Sequence, residues 1–266
     1  YEQARAYIAA HRPGLIARID ALYAPLRPGE GTEAGDWMAR QLSKDIAARR
    51  ADAARAAEAL ALLRSSGRPR GSGAKAYDWA VRNATAVSQT FTAYAFPDER
   101  FAERMRYRDQ VMADNTAWWL DHTHGKILLA SNNGHVAYTS DNPREFPEPT
   151  GAFLRERLGT AYVNIGLTFG RGSINALPDF TATRPRTYTV RPAPADHSEH
   201  TLDRLGHRDF ALDLRTAPAP ARAWLNATRP TRSYGLYWSK KSPETCLARS
   251  YDIVVHLHHV RAARLR

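Results

Sequence analysis

Apolar residues in roughly the first hundred positions recur three and four apart, the spacing of one helix face, and they predict a run of helices there. Tyr1 to about Leu26 reads as helix interrupted at Arg12-Pro13-Gly14, and Pro28-Gly29-Glu30-Gly31 turns the chain. Thr32 is placed to cap a long second helix that runs to about Arg64, where Ser65-Ser66-Gly67 stops it. Gly71-Ser72-Gly73 opens a third, whose Tyr77, Ala80, Ala84, Val87, Phe91 and Tyr94 share one face. Such a stripe ordinarily packs on the protein's own core; a partner-binding or membrane-surface face is the alternative.

A fourth helix, from about Asp98 to His122, carries Met105, Arg108, Met112, Asn115 and Trp119 in the same rhythm, so Arg108 and Asn115 fall on its apolar side. A buried guanidinium or amide without partners costs on the order of 1–3 kcal/mol or more. Each therefore needs either a structural acceptor, such as a buried carboxylate under Arg108, or a polar pocket, and both readings stay open.

Beyond Gly125 the period changes. Lys126-Ile127-Leu128-Leu129-Ala130 is a short apolar run suited to a strand buried on both faces. It leads into a tight polar turn, Ser131-Asn132-Asn133-Gly134-His135. Ligands of open α/β sheets collect beyond the carboxyl ends of parallel strands, which makes His135 a candidate for chemistry rather than an inert loop histidine. A Pro-rich turn and a helix from Gly151 to Leu158 follow. Tyr162 to Phe169 alternates, with Val163, Ile165, Leu167 and Phe169 on one face, and closes on Gly170-Arg171-Gly172. Strands at Thr187–Arg191, Phe210–Leu214 and Tyr251–Val260 interleave with helices from about Glu199 to Leu205 and at Ala219–Trp224. The pattern predicts an α/β class: a mostly parallel sheet flanked by helices over 98–266, preceded by an all-helical region over 1–97, in one continuous domain.

Composition supports a globular chain: 43% of its 266 residues are hydrophobic and 24% charged. No apolar run reaches the roughly 18–20 residues of a membrane span. One cysteine, Cys246, excludes an internal disulfide framework and any multi-cysteine zinc site. The net charge of +11 raises a nucleic-acid partner. Yet only five of the 38 basic residues are lysines, Lys44, Lys75, Lys126, Lys240 and Lys241, and the arginines are mixed with acids apart from Arg64–Arg70 and Arg261–Arg266. Nucleic acid is thus disfavoured as a partner.

Four polar groups invite metal or site readings. His122 and His124 flank a helix end, and His256, His258 and His259 cluster in the last strand, where His256 and His258 would share a face as a two-ligand start. No third ligand stands at a telling spacing, so structural or surface roles are expected. Asp196, His197 and Glu199 read as a solvated helix start capped by Ser198, and Lys240-Lys241 after Trp238 as a solvated basic rim.

Several segments, in order, resemble the erythromycin esterase family. They are Arg108-Asp109-Gln110-Val111-Met112-Ala113-Asp114-Asn115, Trp119-Leu120, Gly125 to Val136, Gly151, Leu154, Leu158-Gly159, Tyr162 to Gly172, Ser198-Glu199, Asp213-Leu214-Arg215 and Tyr251-Asp252-Ile253-Val254-Val255-His256. The resemblance implies a hydrolase that opens the lactone ester of a macrolide with histidine-activated water, consistent with the absence of a G-x-S-x-G elbow. A histidine of ordinary pKa near 6.5 can take a proton from water at neutral pH, an effect worth about 10²–10⁴-fold. On this likeness His135 is the catalytic candidate, and Arg108, Asn115 and Asn132 are substrate-binding candidates.

Two departures qualify the likeness. The family's amino-terminal G-E-x-x-H-G segment has no counterpart, and the chain, which opens on Tyr1, is read as a fragment or processed form. The family's H-N-x-H turn has Asn132 at its first histidine. The expectations are therefore a small-molecule ester partner, a macrolide or a similarly bulky ester; no cofactor, with metal dependence open; no membrane; and a cytoplasmic location. The amino-terminal helices would form a lid or wall of the cleft. A catalytically inactive remnant or ligand-binding module is the alternative, and a basic nucleic-acid-binding protein the third.

Overall fold

A computed structural model describes residues 1–68, 70, 73–179, 182 and 184–265. The chain divides into two compact units, Tyr1–Arg108 and Asp109–Arg266. The first holds α1 (Glu2–His11), α2 (Ile16–Tyr23), α3 (Ala34–Leu42), α4 (Ile46–Ser65) and α5 (Ala74–Tyr94), and the start of α6 (Phe101–Thr123). Arg12 leaves helical geometry as foreseen, and Pro13 opens a single 3-10 turn. The expected long second helix is instead two: Asp45 adopts an extended conformation, and its Oδ1 accepts from the Ala48 N–H at 2.7 Å, capping α4. Thr32 caps nothing; the residue before α3 is Glu33. Gly71 and Ser72, expected to open the third helix, lie outside the described residues, and α5 begins after Gly73. Its Ala80, Ala84 and Phe91 are buried, and Tyr77, Val87 and Tyr94 pack against the same core of Ile8, Ile19, Tyr23, Leu26 and Leu63.

The second unit contains α7 (Asn133–Val136), α8 (Thr150–Leu158), β1 (Ile165–Ala176), β2 (Arg186–Val190), α9 (Ser198–Asp203), β3 (Asp209–Asp213), α10 (Ala219–Leu225), β4 (Arg229–Pro230), β5 (Glu244–Thr245), α11 (Leu247–Ser250) and β6 (Ile253–Val260). The α/β class holds, but the sheet is not mostly parallel. Its order is β2-β1-β6-β3, and only the central β1–β6 pair is parallel, with Leu167 opposite Val255; β1–β2 and β3–β6 are antiparallel. Neither α8 nor α9 serves as a crossover that returns every strand in one sense, and β2 follows β1 as an antiparallel neighbour.

Strand β1 runs through Gly170-Arg171-Gly172 instead of closing there, and the two-residue period comes with its faces exchanged. Val163, Ile165 and Leu167 are exposed, whereas Asn164, Gly166, Thr168 and Gly170 are buried. Small residues are needed on the inner face: a Cβ on Gly166 would lie 2.8 Å from the Tyr251 ring, and one on Gly170 would lie 2.4 Å from Asp203 Oδ1.

Lys126–Ala130 is no buried strand. Among the described residues it has no backbone hydrogen bond and no strand neighbour, and Leu128 is 91% exposed. An apolar run becomes a strand only where a second strand takes up its N–H and C=O groups, and none does so here. Among the described residues no helix is long and apolar enough to cross a membrane.

Candidate active site

Helix α6 buries Asp109, Ala113 and Ala117, a stripe one position away from the one marked by its large side chains. Arg108 and Trp119 are exposed, so Arg108 does not turn inward as expected. The inward polar group is its neighbour Asp109, 2% exposed. Asn115 is half-buried, and its Oδ1 is buried without a hydrogen-bond donor among the described residues.

Asp109 Oδ1 is the hub of the site. It lies 2.7 Å from His135 Nδ1 and accepts from the Thr150 N–H at 3.0 Å and from the Thr150 hydroxyl at 2.7 Å. Burial works to raise the Asp109 pKa, but the hydrogen bonds from His135 and Thr150 outweigh it and hold the carboxyl below its ordinary range. An ionised carboxylate only accepts, so it places the imidazole proton on Nδ1 and leaves Nε2 as the basic nitrogen. The ring is about one-quarter exposed, at 23% of its side-chain surface.

The turn before His135 is a single helical turn, α7, and its asparagines anchor it. Asn132 caps it by accepting from the Gly134 N–H at 3.0 Å and donates from Nδ2 to the Tyr234 carbonyl at 2.8 Å. Asn133 makes two bonds to one residue of β1, donating to the Leu167 carbonyl at 2.6 Å and accepting the Leu167 N–H at 3.0 Å. This amide stands where a neighbouring strand would pair. Helix α8 closes on α7 without clearance, since a Cβ at Gly151 would fall 2.0 Å from the Val136 carbonyl oxygen.

Of the predicted site residues, His135 and Asn132 share this turn; Asn132 uses both ends of its amide on backbone groups. Asp109 and Thr150 are the partners the sequence reading passed over. Asp109 adjoins Arg108 in the quoted motif, and its spacing of four and eight to Ala113 and Ala117 marks the buried stripe once small residues are counted. A cavity of about 220 Å³ in this unit, lined by Asp141, Cys246, Arg249 and Ser250 among others, is not lined by His135.

Of the other histidines that the sequence singles out, His122, His256 and His258 have structural partners. His122 stacks on Trp118 at 4.6 Å. Asp203 Oδ1 lies 2.6 Å from His258 Nδ1 and 3.4 Å from His256 Nε2, and His259 is exposed. Among the described residues no group of three or more His, Cys, Asp or Glu side chains is arranged to hold a metal ion. Glu199 contradicts its expected solvation: it is fully buried, its neighbour Ser198 bonds Thr231 at 2.8 Å instead of capping, and His197 takes the cap position.

A profile for erythromycin esterase matches residues 1–260. The chain belongs to the erythromycin esterase family. Among solved structures, the fold is similar to that of a succinoglycan biosynthesis protein (24% identity, TM-score 0.83, covering 97% of this chain and 61% of that one). It is similar also to a Bacillus cereus protein (23%, TM-score 0.85, 98% and 63%). A mutant of erythromycin esterase EreC in its open conformation gives 18% identity and a TM-score of 0.73, covering 96% and 64%. This erythromycin esterase family chain thus spans under two thirds of the length of each of these proteins. No curated protein matches it.

Proposed function

We propose that the chain carries the histidine site of an ester hydrolase that opens the lactone of a macrolide or a similarly bulky ester. One observation carries the reading: a buried carboxylate, kept ionised by its own hydrogen bonds, fixes His135 in the tautomer that presents Nε2 as base. In the reaction, Nε2 takes a proton from water, and the hydroxide adds to the carbonyl carbon. The tetrahedral intermediate expels the alkoxide, which takes the proton back from the imidazolium. The products are a carboxylic acid and an alcohol, so a cyclic ester gains one water in mass.

Incubation with a macrolide lactone, followed by mass spectrometry, is the test. His135→Ala is expected to abolish the gain of water, and Asp109→Asn to slow it by about 10²-fold or more, through loss of the orienting carboxylate. Unchanged turnover in His135→Ala sinks the reading.

A binding module of the same fold is the second reading, and Asn132 favours it. Where the family carries a histidine, this chain has an amide whose Oδ1 and Nδ2 are both bonded to backbone. Saturable macrolide binding by calorimetry with no change in ligand mass would select this reading.

A further inference from the structure

The fully buried Glu199 sits on the short helix α9 and has no part in the reaction just described. Its Oε1 accepts two hydrogen bonds, one from the Thr168 hydroxyl at 2.8 Å and one from the Arg232 N–H at 2.8 Å. Those two donors lie in segments far apart in sequence. Thr168 follows Leu167, whose N–H and C=O are both bonded to Asn133. Arg232 stands two residues before Tyr234, whose carbonyl accepts from Asn132. The two asparagines immediately ahead of Gly134 and His135 are thus moored to two pieces of backbone, and one carboxylate oxygen joins those pieces beneath the sheet.

The Arg232 guanidinium reinforces the same junction. It is 9% exposed and donates to the Gly170 carbonyl at 2.5 Å and to the Arg191 carbonyl at 2.5 Å, so β1 and the loop after β4 are tied a second time. The other carboxylate oxygen, Oε2, is buried with no hydrogen-bond partner among the described residues. A core built only for stability does not call for that arrangement, because burying a carboxylate with one oxygen unsatisfied is costly when an apolar side chain of similar size could fill the space. The oxygen that is satisfied is the one that joins the two moorings.

We infer that Glu199 is a positioning residue for His135: it fixes the distance between Leu167 and Tyr234, and through Asn133 and Asn132 the orientation of the one-turn helix that carries the imidazole. The inference rests on the proposed role of His135 for its kinetic consequence, but not for its geometry.

The test uses the full chain, with Glu199→Ala, Glu199→Gln and Thr168→Val, and reads three quantities. In Glu199→Ala the Leu167 amide is expected to exchange about 10-fold faster or more, as a locally opened hydrogen bond does. The 15N shifts of the His135 ring are expected to move from a single Nδ1–H tautomer toward a mixture. Hydrolysis is expected to lose about 10–10²-fold in kcat with KM little changed, the loss that follows a misplacement of about 1 Å. Glu199→Gln keeps the accepting oxygen and is expected to restore all three. Thr168→Val removes one donor at nearly constant volume and is expected to shift the exchange and ring signals in the same direction by less.

If Glu199→Ala does not fold, Thr168→Val decides. Wild-type Leu167 exchange and His135 ring signals in the folded variant overturn the inference. Wild-type signals in a folded but less stable Glu199→Ala do the same, leaving Glu199 as ordinary core support. Failure of the hydrolase reading is separate: it appears as full activity in His135→Ala, while the exchange and ring readouts still report on the mooring.

Discussion

The two units bury different chemistry. Of the fifteen polar or charged residues buried among the described residues, only Gln41, Arg49 and Asp52 lie in the helical unit; the other twelve lie in the α/β unit. The helical unit is organised around large apolar side chains, with Tyr23, Phe91, Ile8, Ile19, Leu26 and Leu63 among the most completely enclosed. Its buried ions are answered by neighbours within the same unit, Asp52 by Lys44 at 2.6 Å and Arg55 at 2.8 Å, and Arg49 by Asp98 at 3.0 Å. The α/β unit turns Asn164, Thr168, Glu199, Arg232, Asp252 and His256 inward. Volume decides the first unit, and hydrogen-bond direction decides the second. Shape-filling cores tolerate conservative exchange, whereas directional networks hold particular atoms in place, and this is where a site belongs.

Four measurements would break or sharpen that contrast. The largest effect is expected for Phe91→Ala: emptying this enclosed ring site should cost the helical unit about 3–5 kcal/mol in denaturant unfolding. The fluorescence of Trp37, whose ring meets Phe91 edge-on at 5.8 Å, should report the same transition. A loss under about 1 kcal/mol would mean that volume does not govern this unit.

Second comes Asp109→Ala, which leaves the buried Thr150 N–H without its acceptor and its hydroxyl with only the longer bond to the backbone carbonyl of residue 109 at 3.3 Å. A buried donor left unsatisfied costs about 1–3 kcal/mol. Unfolding of the α/β unit, followed by amide exchange at Thr150, should show the loss, and unchanged Thr150 protection would count against the network.

The third effect is pH-dependent. Burial, opposed by Asp203, holds the His256 imidazole below its ordinary value. Between the unfolded pKa, about 6.5, and the lower folded one, the unfolded chain binds more protons, so stability rises with pH in that window. This contribution is fully present above about pH 6.5 and is lost as pH falls through the folded value. Exchange protection in β6 should therefore decline from pH 7 to pH 5, and His256→Gln should flatten the decline. Asp109 follows the same sign at lower pH: its depressed pKa stabilises the fold above the ordinary carboxylate value, about 3.9, and the benefit disappears in stronger acid.

The smallest effect is expected where neither kind of core reaches. Leu128→Ser should change stability by no more than about 0.5 kcal/mol, and amides of Lys126–Ala130 should exchange at nearly the unprotected rate. Strong protection there would show a pairing that the fold does not contain.

These contrasts also explain what could be read from sequence. The helical unit was largely legible, because its stripes of large apolar residues are themselves the core; the start of α3 at Glu33 and the break at Asp45 were not, the latter lying inside an Ala- and Arg-rich stretch with no Pro or Gly to mark it. In the α/β unit periods were legible and directions were not. The alternation of Val163 to Phe169 is real, but Tyr251, Glu199 and Asp203 need small or polar partners beneath the sheet, so the apolar face points outward. On α6 the bulky Met and Trp positions mask the buried stripe of Asp109, Ala113 and Ala117. His135 was found through its turn and its family likeness. Asp109, Thr150 and Glu199 were not, because partners 26 to 41 residues away, or across the sheet, leave no local period.

The single oxygen on which His135 and Thr150 converge has a mechanical corollary. Thr150 is the first residue of α8, and Gly151 lets that helix lie directly against the turn holding the imidazole. Because Asp109 Oδ1 serves both partners at once, a shift at the start of α8 is felt at the bond that orients the ring. The beginning of one helix and the aim of an imidazole on a separate turn thus share one acceptor.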